Sequence, residues 1–136
     1  MSDGVLDLGP LERAVARLGE GLVRYEKDIS DAQIRDGLIQ RFEFTYEISH
    51  KMLKRFLEMT SPSPAKFDAM TFQDLIRSGN ERGILRGDWT AWRTYRDMRG
   101  QASRAYAEEV VVQVVAGIPA FLDEAAFLTA QLSAHQ

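Results

Sequence analysis

The stretch Ile34-Arg-Asp-Gly-Leu-Ile-Gln-Arg-Phe-Glu-Phe-Thr-Tyr-Glu-Ile-Ser-His-Lys-Met-Leu-Lys-Arg-Phe-Leu57 repeats apolar side chains at helical spacing. Ile34, Leu38, Phe42, Tyr46 (or Thr45), Ser49, Leu53 and Phe56 fall on one face, the period expected of a helix with one buried stripe. A second stripe of Ile39, Phe44 and Leu57 widens the apolar arc, which predicts a helix central to a bundle or part of a dimer seam. Ser30-Asp31-Ala32-Gln33 has the form of a capping box with Ser30 as the cap. Thr60-Ser-Pro-Ser-Pro64 ends the helix near Met59, because proline cannot continue it.

Working outward, Leu8, Leu11, Val15, Leu18, Leu22 and Tyr25 step by three or four and predict a first helix over about residues 8–27, with Pro10 in its first turn. Thr71 caps a short third helix carrying Phe72, Leu75 and Ile76, which stops near Gly83. Asp88 caps a fourth, with Trp89, Trp92, Tyr95, Met98 and Ala102 inward and Arg93, Arg96, Arg99 (or Gly100), Ser103 and Arg104 outward. A last helical region begins near Ala107 and presents Val110, Val111, Val114, Val115, Ile118, Leu122, Ala126 and Leu132, with a kink or restart at Pro119. Strand signals are weak throughout. The expectation is an all-α protein, an antiparallel up-and-down helix bundle of four to six helices forming a single domain over residues 1–136.

Composition narrows the chemistry. The 136 residues contain no cysteine, which excludes a disulfide framework, thiolate catalysis and cysteine-ligated metal in this chain. His50 and His135 are the only imidazoles, so no metal centre, no cofactor and no serine–histidine relay is expected. The N-terminus lacks the pattern of a signal peptide, and Val110–Leu122 is shorter than the roughly 20 residues of a membrane span. A cytoplasmic protein without membrane contact is expected.

Net charge is -3, unevenly spread. Residues 77–104 hold seven arginines (Arg77, Arg82, Arg86, Arg93, Arg96, Arg99, Arg104) against Glu81, Asp88 and Asp97, and no lysine. They are either solvated side chains or a patch for phosphate or an acidic partner, which the guanidinium fork suits. Glu43 and Glu47 are expected to pair along their own helix with Lys51 and Lys54, or with Arg35. Trp89, Trp92 and Tyr95 read as core aromatics, and His50 as a packed or partly exposed helix residue.

Residues 34–57 resemble the long helix of the nucleotidyltransferase substrate-binding family, the HepT-like proteins of the HEPN superfamily. The resemblance rests on Phe42-Glu-Phe-Thr-Tyr-Glu47 followed by Lys51 and Leu53-Lys54, and extends from about Leu6 to Leu132. The later stretch from Trp92 falls where the family carries an Arg-x4-His-x-Tyr motif. Arg99 matches its arginine, Ser103 the residue before its histidine and Tyr106 its tyrosine, while Arg104 stands in the histidine's place. Gly100 replaces a polar residue often found there, and His50 a tryptophan.

The resemblance implies a homodimeric helical bundle forming half of a two-component, toxin–antitoxin-like module whose other half is a minimal nucleotidyltransferase. It implies Tyr106 as an adenylylation acceptor; Arg99 and Arg104, aided by Arg96 and Ser103, are then the expected contacts for a nucleotide or RNA phosphate or for an acidic partner surface. In HEPN ribonucleases the histidine takes part in cleavage. Arginine stays protonated in proteins and cannot take its proton-transfer role, which contributes typically 10²–10⁴-fold. The expected function is therefore a non-catalytic binding subunit. The alternatives are a HEPN-type ribonuclease with a rearranged site and a bundle that makes only protein contacts.

Overall fold

The computed structural model describes residues 5–104 and 107–136. Five α-helices follow in order: α1 (Gly9–Lys27), α2 (Ala32–Met59), α3 (Phe72–Glu81), α4 (Trp89–Ala102) and α5 (Glu108–Ala134), with a 3-10 turn at Pro64–Asp68 between α2 and α3. There is no strand among the described residues.

Side-chain contacts give the helix directions. Thr45 meets Ala14 and Arg41 meets Arg17, so α1 and α2 are antiparallel. Tyr95 meets Ala120 and Met98 lies against Gly117, so α4 and α5 are antiparallel as well. Arg35 pairs with Glu108 and Phe42 packs on Phe121, which makes α2 and α5 parallel across the diagonal. The result is a four-helix up-down-up-down bundle of α1, α2, α4 and α5, with α3 set in the long α2–α4 connection.

The core is aromatic where α2, α4 and α5 meet. Phe42, Trp92 and Phe121 are fully buried. Phe121 stands edge-on to Phe42, Trp92 and Tyr95, with ring centroids 5.1, 6.0 and 5.3 Å away, the arrangement favoured by ring quadrupoles.

Local chemistry sets the helix ends. Thr71 and Asp88 cap α3 and α4 as expected, and Gly83 takes the left-handed conformation (φ 75°) that follows α3. At α2 the cap is Asp31, not Ser30. Its carboxylate accepts from the Gln33 and Ile34 N–H groups at 3.0 and 3.1 Å, while the Ser30 hydroxyl turns back to Asp28. A carboxylate at a helix N-terminus gains from the macrodipole as well as the hydrogen bonds.

Three further expectations change. Phe44 is 58% exposed, because five residues beyond Ile39 a helix has turned some 140° away from the second stripe. In α5 the buried face continues through Phe121, Ala125 and Leu128, with Leu122 half-buried and Ala126 exposed. No new helix starts at Pro119, which lies on the exposed side of one continuous helix. By length and composition α5 as a whole could cross a membrane, unlike the shorter Val110–Leu122 segment. Its apolar face is instead packed inside the bundle.

One buried carboxylate organises the α3–α4 connection. Glu124, 4% exposed, accepts from the backbone N–H groups of Arg86 and Gly87 at 2.9 and 2.6 Å. A Cβ on Gly87 would lie 2.6 Å from that carboxylate, so the loop requires glycine there. Truncating a partner of buried donors costs about 1–3 kcal/mol for each group left unsatisfied. Glu124→Ala is therefore expected to lower unfolding free energy by about 2–3 kcal/mol in urea titrations, with Glu124→Gln between it and wild type.

Candidate functional site

The hexapeptide Phe42–Glu47 sends its side chains in three directions. Phe42 and Tyr46 enter the core. Thr45 is buried on the α1 side, and its hydroxyl donates to the Arg41 carbonyl at 2.7 Å, with the Ala14 carbonyl at 3.3 Å. Glu43 and Glu47, one turn apart, face α4.

There they meet Arg99. Its Nη1 lies 3.1 Å from Glu43 Oε2 and its Nη2 lies 3.0 Å from Glu47 Oε2, so the fork spans two carboxylates of another helix. These are the partners that local spacing misses: Glu43 and Glu47 do not pair with Lys51, Lys54 or Arg35. Lys54 binds Asp68 at 3.3 Å, and Arg35 binds Glu108 at 2.7 Å. Arg99 is consequently half-buried and faces α2, not solvent.

Most other arginines of the basic segment have individual partners too. Arg77 pairs with Asp74, Arg82 bonds the Thr60 hydroxyl and covers the Phe56 ring, and Arg86 covers Phe127 at 4.8 Å. Arg96 lies over Trp89 at 4.9 Å. The Ser103 hydroxyl donates to the Gly100 carbonyl at 2.9 Å. Arg93 and Arg104 are exposed, and the Arg104 N–H donates to the Gln101 carbonyl just beyond α4. Tyr106 lies outside the described residues. Of the sequence-derived site, Arg96, Arg99, Ser103 and Arg104 thus occupy the last two turns of α4 and its exit. Among the described residues, none of the defined hollows is walled by any of them.

Burial adjusts two neighbouring titrating groups. The Tyr46 hydroxyl is pushed up to about 12, chiefly by burial, against the opposing fields of Arg96 and Arg99. His50, edge-on to Phe72 at 4.7 Å, is held below its usual value by burial and by Lys54. Among the described residues no group of three acidic or imidazole side chains could hold a metal ion.

Residues 6–134 match the family described as nucleotidyltransferase substrate binding protein like. The chain belongs to that family. It is 36% identical over 135 residues to a Haemophilus influenzae protein named "Probable ribonuclease HepT", covering 93% of this chain and 92% of that protein. The solved structure of HI0074 from Haemophilus influenzae, described as the fold of a substrate binding domain of a nucleotidyltransferase, superposes with a TM-score of 0.86 at 34% identity. That match covers 93% of this chain and 99% of the HI0074 chain. Family membership and the helical fold expected from residues 34–57 both hold, and membership implies a nucleotidyltransferase partner.

Two outcomes follow from the geometry. Removing Arg99 leaves two carboxylates facing one another on α2, so Arg99→Ala is expected to cost about 1–2 kcal/mol, with Arg99→Lys recovering only part because an ammonium cannot span both. Double-mutant cycles read by chemical denaturation should give a larger coupling to Glu43 than to the more exposed Glu47. For His50 the folded value lies below the unfolded one, so the unfolded state binds the extra proton. Stability is then expected to fall as pH drops below about 6.5, and His50→Gln should remove that component of the pH profile.

Proposed function

We propose that this chain is the non-catalytic binding subunit of a two-component, toxin–antitoxin-like nucleotidyltransferase module, acting in the cytoplasm as a homodimer. The observation that carries the reading is Arg104. The segment from Arg99 to Ala107 contains no histidine, and the two imidazoles of the chain lie elsewhere, His50 packed on Phe72 and the exposed His135 beside Phe56. A permanently protonated guanidinium binds phosphate or carboxylate but accepts no proton.

Arg96, Arg99, Ser103 and Arg104 would form the contact surface for a nucleotide phosphate or the partner enzyme. The Glu43–Arg99–Glu47 bridge bears on how they share the task. Arg99 is already balanced by carboxylates, so a ligand must compete with them, and Arg104 is the side chain exposed to receive it. Tyr106 is the proposed acceptor of an adenylyl group. Its phenolic oxygen would bond the α-phosphorus of ATP as the bond to the β-phosphate oxygen breaks, pyrophosphate leaves, and the phenolic proton passes to solvent.

A ribonuclease reading draws on one observation, the name of the 36%-identical relative. It requires a base other than the motif imidazole.

The test is co-expression with a small nucleotidyltransferase encoded beside this chain, followed by intact-mass measurement after ATP addition. The expected result is a stable complex and one added AMP, absent in Tyr106→Phe. No complex and no mass increase would overturn the proposal.

A further inference from the structure

A hollow of about 580 Å³ lies between α1 and α2, away from the Glu43–Arg99–Glu47 bridge, and Arg13, Arg17, Arg41 and Phe44 line it. A second hollow of about 310 Å³ shares Gly37 and Arg41 with it and continues the groove to Arg24, with Glu20 the one carboxylate in its wall. Among the described residues no carboxylate lies within 4.0 Å of the guanidinium groups of these four arginines. One is held in place: Arg41 Nη1 donates to the Arg17 carbonyl at 2.7 Å, crossing Gly21 where a Cβ would meet its Cδ at 3.2 Å. The floor at Gly37 is open, with nothing within 4 Å of a built Cβ. Phe44, 58% exposed, offers a large apolar surface in the groove wall.

We propose that the α1–α2 groove docks an acidic, amphipathic helical segment of the partner protein, with its carboxylates on the arginines and an apolar side chain on Phe44. Arg13, Arg17 and Arg24 stand at i, i+4 and i+11 along about 16 Å of α1, a spacing that carboxylates on one face of a facing helix can match. Two other occupants fit less well. A chain of net charge -3 and pI about 5.4 lacks the strongly basic character of nucleic-acid-binding domains. A second copy docking symmetrically would set these arginines against themselves. Identifying the partner as the nucleotidyltransferase rests on the function proposed above.

Two measurements separate the inferences. The first is fluorescence anisotropy of a labelled helical peptide of about five turns, with glutamates at that spacing and leucines beside them. Saturable binding to wild type is expected, about tenfold weaker for Arg13→Glu/Arg17→Glu and weaker also for the milder Arg13→Gln/Arg17→Gln. Circular dichroism should show the variants folded. No binding to wild type, equal binding to both variants, or tighter binding of an oligoribonucleotide of equal charge would overturn the proposal. The second is co-purification of the neighbouring nucleotidyltransferase, expected to be lost in Arg13→Glu/Arg17→Glu and kept in Arg55→Glu, a charge reversal on an exposed side chain of α2 outside the groove. A complex that survives the groove reversal overturns the groove and spares the module. Peptide binding without any complex overturns the module and spares the groove.

Discussion

Helix α2 has to face four other helices at once, and its 100° step per residue assigns each side chain to one of them. Phe42 and Tyr46 fill the aromatic centre with Trp92 and Phe121, Thr45 joins α1, and Glu43 and Glu47 reach α4 through Arg99. Five of the six residues from Phe42 to Glu47 therefore fix the core, one helix interface and the charge environment of the candidate site, while Phe44 stays exposed.

That constraint explains which parts could be read from the sequence. The helices, the Thr71 and Asp88 caps and the long aromatic face of α2 follow from period and local hydrogen bonding, which lie within a few residues along the chain. The partners of Glu43 and Glu47 do not. Lys51 stands four residues from Glu47, whereas Arg99 is 52 residues away, and nothing in local spacing favours the distant cation. Phe44 failed for a related reason: apolar character suggested burial, yet its angular position points it away from both stripes. In α5 the stripe shifts from a step of four to a step of three after Ile118, which puts Phe121 inside and Leu122 at the margin.

The candidate site was legible as a motif and illegible as geometry. Arg99 could be matched by position, but not recognised as bound by two carboxylates. The arginine-rich segment 77–104 looked like one patch and is largely a set of separate contacts, on Asp74, Phe56, Phe127, Trp89 and the α2 glutamates. The α1–α2 groove left no mark in the charge census, because Arg13, Arg17, Arg24 and Arg41 belong to a half of the chain whose net charge is negative. Folding concentrates them on one surface.

Position 104 decides whether the motif can move a proton, and arginine there cannot. Hydrolysis of a labelled oligoribonucleotide by purified wild type, Arg104→Ala and Arg104→His, followed side by side, asks this most directly. Wild type and Arg104→Ala should leave the strand intact, with cleavage above buffer in Arg104→His alone. Cleavage by wild type above buffer, whether or not it persists in Arg104→Ala, would contradict a non-catalytic role.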